Sequence, residues 1–151
     1  MRVHDSTMSN NESRELILFS LSSSMVNVHA WHANTTIQDA PKWTFDFFKE
    51  NGPDLANLVP NKPQIYMAEV GWPTNSSVPV ASSSPASVEN LQYFLNNFVC
   101  TANAQGIKYF YFEYMNIPWK EQQWPGVEGF WGLFNSDKTL KAITLPDCAH
   151  E

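Results

Sequence analysis

The amino-acid sequence predicts an α/β protein assembled from parallel βα units. Three short apolar runs rich in β-forming residues, at residues 25–31, 64–70 and 107–113, recur with a period of about 40 residues. Stretches with helical periodicity separate them. Strands that alternate with amphipathic helices favour a parallel sheet, either doubly wound or closed into a barrel, and periodicity alone does not choose between these two architectures.

The first predicted helix lies between the first two strands. Asp39 is a suitable N-cap and Gly52 a suitable stop, and Trp43, Phe47 and Phe48 fall on one helical face. We therefore expect this helix to pack its aromatic face against the sheet.

The second predicted helix follows a low-complexity stretch, residues 78–87, whose composition is typical of a flexible loop. Ser87 can cap this helix and Gly106 can end it. Between them a stripe with i, i+3, i+4, i+7 spacing predicts the buried face, which comprises Val88, Leu91, Phe94, Leu95, Phe98, Val99 and Ala102.

The composition favours a neutral ligand. In 151 residues with a net charge of -6, the charged fraction is low (16%) and the aromatic fraction high (14%). This balance argues against nucleic acid or an anionic membrane as a partner and suits a sugar.

Residues 1–24 lack periodicity and stay unassigned, so residues 25–151 form the predicted domain. We expect a monomer that needs no cofactor.

The sequence gives mixed indications of location. No segment approaches the roughly 18 apolar residues of a membrane span, and the polar N-terminus has no signal-peptide core. Sequons at Asn11, Asn34 and Asn75 are nonetheless typical of extracellular proteins, and Cys100 and Cys148 could be a disulfide or two buried thiols. A leader upstream of this sequence would reconcile these observations.

Glu69 is the strongest candidate for a catalytic carboxylate. It lies at the carboxyl end of an apolar strand and is followed by Gly71, Trp72 and Pro73, which form a rigid aromatic corner. A buried strand rarely carries an ionisable group without a function. The alternative is a structural carboxylate that pairs at the strand end.

Glu113 is the candidate partner of Glu69. Glycoside hydrolysis with retention of configuration uses two carboxylates about 5 Å apart, which is close to the roughly 4.8 Å spacing of adjacent strands. Glu113 lies at the end of the next strand along the chain. It could equally be a buried charge that pairs with Lys108 or Lys120.

Aromatic and imidazole side chains gather near the strand ends and suit a glycan groove. Indoles stack on the C–H faces of sugars, and imidazoles bind their hydroxyls. We do not expect a metal site, because two histidines three residues apart on a strand would point to opposite faces. About half of the tryptophans could instead belong to the core. The set comprises His29, Trp31, His32, Trp72, Trp119, Trp124 and Trp131.

Four segments, taken in order along the chain, resemble glycoside hydrolase family seventeen, the fungal and plant β-1,3-glucanases. They are the sixth strand (residues 25–34, MVNVHAWHAN), the nucleophile strand (66–74, YMAEVGWPT), the eighth strand with its loop (109–120, YFYFEYMNIPWK) and the closing segment (127–141). The resemblance implies a C-terminal portion, strands six to eight, of a TIM (β/α)8 barrel. It also implies a secreted or cell-wall enzyme acting on β-1,3-glucan.

The resemblance assigns roles to individual residues. Glu69 matches the nucleophile of a retaining glycosidase, and Glu113 takes a supporting role. Cys100 and Cys148 match a cysteine pair that would be bridged in fungal relatives. The residues that match the lining of the sugar cleft are His29, Trp31, Trp72, Lys120, Glu128 and Trp131.

Two departures from the family pattern qualify the expected activity. Nothing upstream of Met25 resembles the strand that carries the family's general acid, and Asn116 and Ile117 stand where fungal relatives carry Asp-Glu. We therefore expect a truncated endo-β-1,3-glucanase with very low hydrolysis. The alternative is a non-catalytic remnant that binds β-glucan.

Overall fold

The computed structural model describes residues 21–80 and 82–148. Three parallel strands form one sheet in chain order, and helices connect them, so the predicted βαβαβ order is confirmed. The elements are β1 (Ser23–Val28), α1 (Ala40–Asn51), α2 (Pro53–Ala56), β2 (Gln64–Val70), α3 (Val88–Ala104), β3 (Tyr109–Tyr111) and α4 (Pro118–Gln123). The second strand has its predicted bounds, whereas β1 ends earlier and β3 is shorter than predicted.

Helix α1 begins and ends where the sequence predicts. Asp39 precedes it and Gly52 follows it, with a proline in the first turn. The Asp39 carboxylate does not cap the helix, because it accepts a hydrogen bond from the Thr36 hydroxyl at 2.7 Å instead. The preceding turn, rather than a side-chain cap, therefore fixes the start of α1.

Helix α3 is capped at both ends as predicted. The Ser87 hydroxyl oxygen accepts a hydrogen bond from the Asn90 N–H at 3.1 Å. At the other end Gly106 adopts a φ of 67°, and the Ile107 N–H donates to the Ala102 carbonyl at 3.0 Å. Across residues 21–80 and 82–148, no helix combines the length and the apolar character that crossing a bilayer requires.

The sheet is covered by helices on one face only within the described residues. The opposite face is exposed, as shown by Met25 (58% exposed) on β1 and Phe110 (57%) on β3. Burial therefore alternates along the strands as the pleat requires. The core between sheet and helices includes Val28, Phe48, Ile65, Met67, Val70, Leu91, Phe94, Leu95 and Phe98.

The serine-rich loop before α3 is anchored over residues 82–87, which corrects the expectation of a flexible segment there. The buried Ser84 hydroxyl oxygen accepts a hydrogen bond from the Ile37 N–H at 2.7 Å. The Ser83 N–H donates to the Asn34 side chain at 2.7 Å. This loop is thereby fastened to the turn that follows β1.

A disulfide joins Cys100 near the end of α3 to Cys148, with 5.3 Å between the Cα atoms. The crosslink holds the C-terminal segment against the outer helix layer. Of the two possibilities that the cysteine count leaves open, the structure contains the bridge.

Candidate active site

A β-bulge sets the direction of the Glu69 side chain. The register of β1 against β2 shifts between Val26 and Asn27, whose partners are Met67 and Glu69, so Ala68 is the extra residue. An extra residue reverses the alternation of side chains along a strand. Glu69 consequently points away from the face that carries Met67, and its side chain is 36% exposed.

His29 is the direct partner of Glu69. Its Nε2 lies 3.0 Å from Glu69 Oε2, and its side chain is 17% exposed. His29 follows the last residue of β1 and precedes a turn, in which its carbonyl accepts a hydrogen bond from the His32 N–H at 3.1 Å. A turn of this kind brings both imidazoles to the same side, with ring centroids 5.9 Å apart. The expectation that they face opposite ways is wrong, because the strand ends before them.

His32 connects this turn to the closing segment. Its Nε2 lies 3.6 Å from Glu128 Oε1, and half of its side chain is exposed. Burial lowers the pKa of His32, while the Glu128 carboxylate opposes that shift. The site therefore has two histidine–carboxylate pairs, whose residues come from the segments after β1 and β3 and from the end of β2.

Trp131 forms the base under both histidines. Its ring centroid lies 4.9 Å from that of His29 and 5.4 Å from that of His32, and it also contacts Phe112 and Trp31. Only 1% of Trp131 is exposed, so its rings support the imidazoles rather than offering an open face. Trp31 is also buried, at 9% exposed.

Glu113 is ion-paired with Lys120, one of its two predicted partners. The Lys120 ammonium lies 2.7 Å from Glu113 Oε2 and 4.7 Å from the centroid of the Phe112 ring. Burial raises the pKa of Glu113, and the Lys120 ammonium opposes that shift, while the carboxylates of Glu128 and Glu69 add to it. This environment makes Glu113 the residue that holds Lys120 in place.

Unused hydrogen-bonding atoms concentrate at this site. In the described part of the chain, buried side-chain atoms without a hydrogen-bond partner include His29 Nδ1, Trp31 Nε1, Trp131 Nε1 and Glu113 Oε1. Such atoms are rare in folded proteins because each costs desolvation energy, and they mark positions where function outweighs stability.

Trp72 lies outside this cluster, and its predicted role in sugar binding stays a prediction. Its indole is fully buried, donates to the Pro85 carbonyl at 3.2 Å and packs against Phe94. The bulge at Ala68 explains this position. The extra residue reverses which side chains face the helices, so Glu69 points away from them and Trp72 points toward them.

Lys141 is a site-adjacent residue that the sequence analysis missed. The side chain is buried, and its ammonium donates hydrogen bonds to Thr74 Oγ1 (2.5 Å), Asn116 Oδ1 (2.8 Å) and the Phe130 carbonyl (3.3 Å). Burial lowers the pKa of Lys141 to about 8. Lys141 thus ties together the segments that follow β2 and β3, although no spacing or motif singles it out.

The fold and the site together define an α/β protein with a carboxylate–histidine centre at the carboxyl ends of parallel strands. Residues 4–132 match the family model of the BtgE/BtgC glycoside hydrolase domain, and the chain belongs to this family. The match begins upstream of Met25, and the predicted division of the chain at that point stays a prediction.

Fungal proteins are similar in sequence. The btgC protein of Aspergillus niger is 36% identical over 137 residues, covering 82% of this chain and 20% of the relative. The glucan endo-1,3-beta-glucosidase btgC of Emericella nidulans is 32% identical over 140 residues, covering 82% of this chain and 21% of the relative. The chain therefore spans about a fifth of the length of these curated relatives.

A solved structure agrees in sequence and in fold. The glycoside hydrolase family 17 beta-1,3-glucanosyltransferase from Rhizomucor miehei superposes with a TM-score of 0.71 at 26% identity, covering 89% of this chain and 47% of that chain. An active-site mutant of the same enzyme, in complex with laminaritriose, gives a TM-score of 0.72 at 25% identity over the same shares of both chains. The predicted resemblance to family seventeen is confirmed.

Proposed function

We propose that this chain is part of a retaining β-1,3-glucan hydrolase in which Glu69 is the nucleophile. The position of Glu69 carries the proposal: the bulge turns its carboxylate out of the core, and His29 lies 3.0 Å away. The name of the Emericella relative and the laminaritriose bound to the Rhizomucor relative support a β-1,3-linked glucan as the substrate.

In the proposed mechanism a Glu69 oxygen attacks the anomeric carbon while the glycosidic C–O bond breaks. The leaving oxygen takes a proton from a general acid, and the glycosyl ester remains on Glu69. A water molecule, or a hydroxyl of a second glucan, then attacks the anomeric carbon, returns a proton to the acid residue and releases Glu69 as a carboxylate. The choice between water and sugar determines whether the outcome is hydrolysis or transfer.

His29 positions the nucleophile in this proposal. With a proton on Nε2, the imidazole donates a hydrogen bond to Glu69 Oε2, which limits the rotation of the carboxylate. The other ring nitrogen, Nδ1, is buried and has no hydrogen-bond partner within the described residues, so Nε2 is the atom that serves Glu69. Lys120, held by Glu113, supplies a positive charge close to the same centre.

We propose that the proton donor lies outside the described residues. Glu113 is bound to Lys120 at 2.7 Å, and Glu128 lies next to His32 at 3.6 Å, so the carboxylates nearest Glu69 already have partners. Burial raises the pKa of Glu113, but the Lys120 ammonium that contacts its Oε2 favours the ionised form, which has no proton to give.

We further propose that the three strands are strands six to eight of a (β/α)8 barrel. The exposed sheet face, which carries Met25 and Phe110, corresponds in a barrel to the packed interior. The 47% coverage of the Rhizomucor chain supports a part of such a fold rather than the whole.

A substrate with a weakly basic leaving group tests the nucleophile without the proton donor. We expect the full chain to release a burst of dinitrophenolate from 2,4-dinitrophenyl β-laminaribioside, because this leaving group needs no proton. Mass spectrometry should find a laminaribiosyl adduct on Glu69. Glu69→Gln should abolish both signals, and Glu89→Gln, an exposed carboxylate on α3, should leave them unchanged.

Two results would count against the proposal. An undiminished burst in Glu69→Gln would remove Glu69 as nucleophile. Rapid laminarin hydrolysis that depends on Glu69 would instead show that the chain holds its own proton donor.

Binding without turnover is the second candidate function, and the ion-paired state of Glu113 favours it. It predicts retention on insoluble β-1,3-glucan that survives Glu69→Gln, together with the absence of a glycosyl adduct in the parent chain.

A further inference from the structure

Two tryptophans are exposed to solvent at α4: Trp119 lies in the helix, and Trp124 is the residue that follows it. Trp119 is 56% and Trp124 53% exposed, with ring centroids 6.2 Å apart and planes inclined by 54°. The rings therefore form an open V rather than a closed stack. Adjacent large apolar side chains that remain exposed mark interaction surfaces.

The backbone under these rings is held firmly. Glu121 accepts hydrogen bonds from the Gly126 and Gly129 N–H groups and from the Ser77 hydroxyl. The Ile117 N–H donates to the Gly129 carbonyl at 3.2 Å. Because these contacts fix both ends of α4, the indoles would lose little backbone freedom on binding a ligand.

The pair continues outward from the candidate active site. Lys120 lies in α4, and Trp124 directly follows this helix four residues later. The Trp124 N–H donates to the Lys120 carbonyl at 2.7 Å, and the Lys120 ammonium reaches Glu113 inside the site. Lys120 therefore connects the candidate active site to the backbone that carries the two indoles.

We propose that Trp119 and Trp124 form an outlying subsite that grips a β-1,3-glucan chain extending beyond Glu69. This inference rests on the proposed function for the identity of the sugar. Indole faces bind the C–H faces of pyranose rings, and both indoles here are more than half exposed. The charges beside the pair, on Lys120 and Glu121, are already engaged, which suits an uncharged ligand.

The test compares long and short glucans. In the full chain carrying Glu69→Gln, which prevents turnover, we expect Trp119→Leu with Trp124→Leu to weaken laminarin binding about tenfold, the typical loss for truncated aromatic anchors. Laminaribiose, which occupies only the sites next to Glu69, should bind unchanged. Phenylalanine at both positions should restore most of the affinity. Tyr93→Leu, an exposed aromatic residue on α3, is the matched control. Titration calorimetry measures each affinity.

Three results would overturn the inference. They are unchanged laminarin affinity in the leucine pair, an equal loss for laminaribiose and laminarin, and a melting temperature lowered without any change in affinity. The last result would mean that the rings pack against protein. The two proposals can fail separately. If the leucine pair lowers laminarin affinity tenfold but the parent chain forms no adduct at Glu69, the subsite is supported and the catalytic proposal fails.

Discussion

The two ends of the three-stranded sheet carry different chemistry. At the carboxyl ends, Glu69, His29, Glu113 and Lys120 form ion pairs and hydrogen bonds around a buried tryptophan. At the amino ends, a cavity of about 290 Å³ is lined by neutral and basic residues such as Gln64, Ile65 and Lys108, with no carboxylate in its lining. A contact between two side chains there joins the Lys108 ammonium to Gln64 Oε1 at 3.3 Å.

This difference follows from the parallel arrangement. The carboxyl ends of neighbouring strands meet at one edge, so the segments that follow them can place groups from distant parts of the sequence within contact. The amino ends receive helix ends and short turns, which mainly contribute packing. Substitutions at the carboxyl end should therefore alter chemistry and stability together, whereas those at the amino end should alter stability alone.

Gly71→Ala at the carboxyl end should have the largest effect. A Cβ at this position would lie 2.1 Å from the Phe112 carbonyl oxygen, so the ends of β2 and β3 would have to separate. We expect a loss of about 3 kcal/mol or more in the free energy of unfolding. Urea unfolding followed by circular dichroism measures it.

Gly106→Ala at the amino end is the matched control for Gly71→Ala. No atom lies within 4 Å of a Cβ built there, and the penalty arises only from the positive φ of 67°. The expected loss is about 1 kcal/mol. Equal losses at the two glycines would contradict the close approach of β2 and β3.

Removing the disulfide should affect stability without affecting the site. Cys100→Ser with Cys148→Ser opens a crosslink that spans 48 residues and lies in the outer layer. We expect a loss of about 3 kcal/mol in the free energy of unfolding. The burst of dinitrophenolate per folded molecule should not change, and a smaller burst would show that the crosslink also shapes the active site.

His29→Phe should slow the covalent step about 100-fold, because a loosely held nucleophile loses the attack geometry. The phenyl ring keeps the packing against Trp131 but cannot donate to Glu69. Stopped-flow release of dinitrophenolate measures the rate, and the loss should fall on kcat rather than on KM.

Two comparison variants show whether His29 acts through its hydrogen bond. His29→Gln, which retains a donor, should recover part of the rate. Lys108→Met at the amino end should match the parent chain. A rate for His29→Phe equal to that of the parent would remove His29 as a positioning residue.

Much of the fold could be predicted from local signals. Interactions within a few residues determine the Ser87 cap, the positive φ of Gly106 and the bounds of β2. Residue types and their spacing therefore predict these features directly. The ends of β1 and β3 depend instead on pairing between distant segments. The sequence therefore fails to predict that β1 stops before His29.

The candidate site was predicted in part, and the bulge explains the difference. Glu69 was identified from its place at a strand end, but simple alternation would have placed it beside Met67 in the core. The apolar residues at positions 65, 67, 70 and 72 are not evenly spaced by two, and this break in alternation could have revealed the bulge. Trp72 is fully buried, and tryptophan content alone cannot separate buried indoles from exposed ones.

Lys141 offers the sharpest test of the packing behind the site. Its pKa in the folded chain is about 8, below the usual 10.5, because burial disfavours the charged form. Below about pH 8 the amine is protonated in both the folded and the unfolded chain, so the cost of burying the charge is fully present. Above that pH the folded chain loses the proton while the unfolded chain keeps it, and stability rises.

Between about pH 8 and about pH 9.5, the free energy of unfolding should therefore increase on the order of 2 kcal/mol relative to Lys141→Met, which has no proton to lose. Urea unfolding of both proteins across this range measures the difference, and the methionine variant cancels the titration of other groups such as Tyr109. A constant difference between the two proteins would mean that the Lys141 ammonium reaches water, and that Thr74 and Asn116 are held by something other than a buried charge.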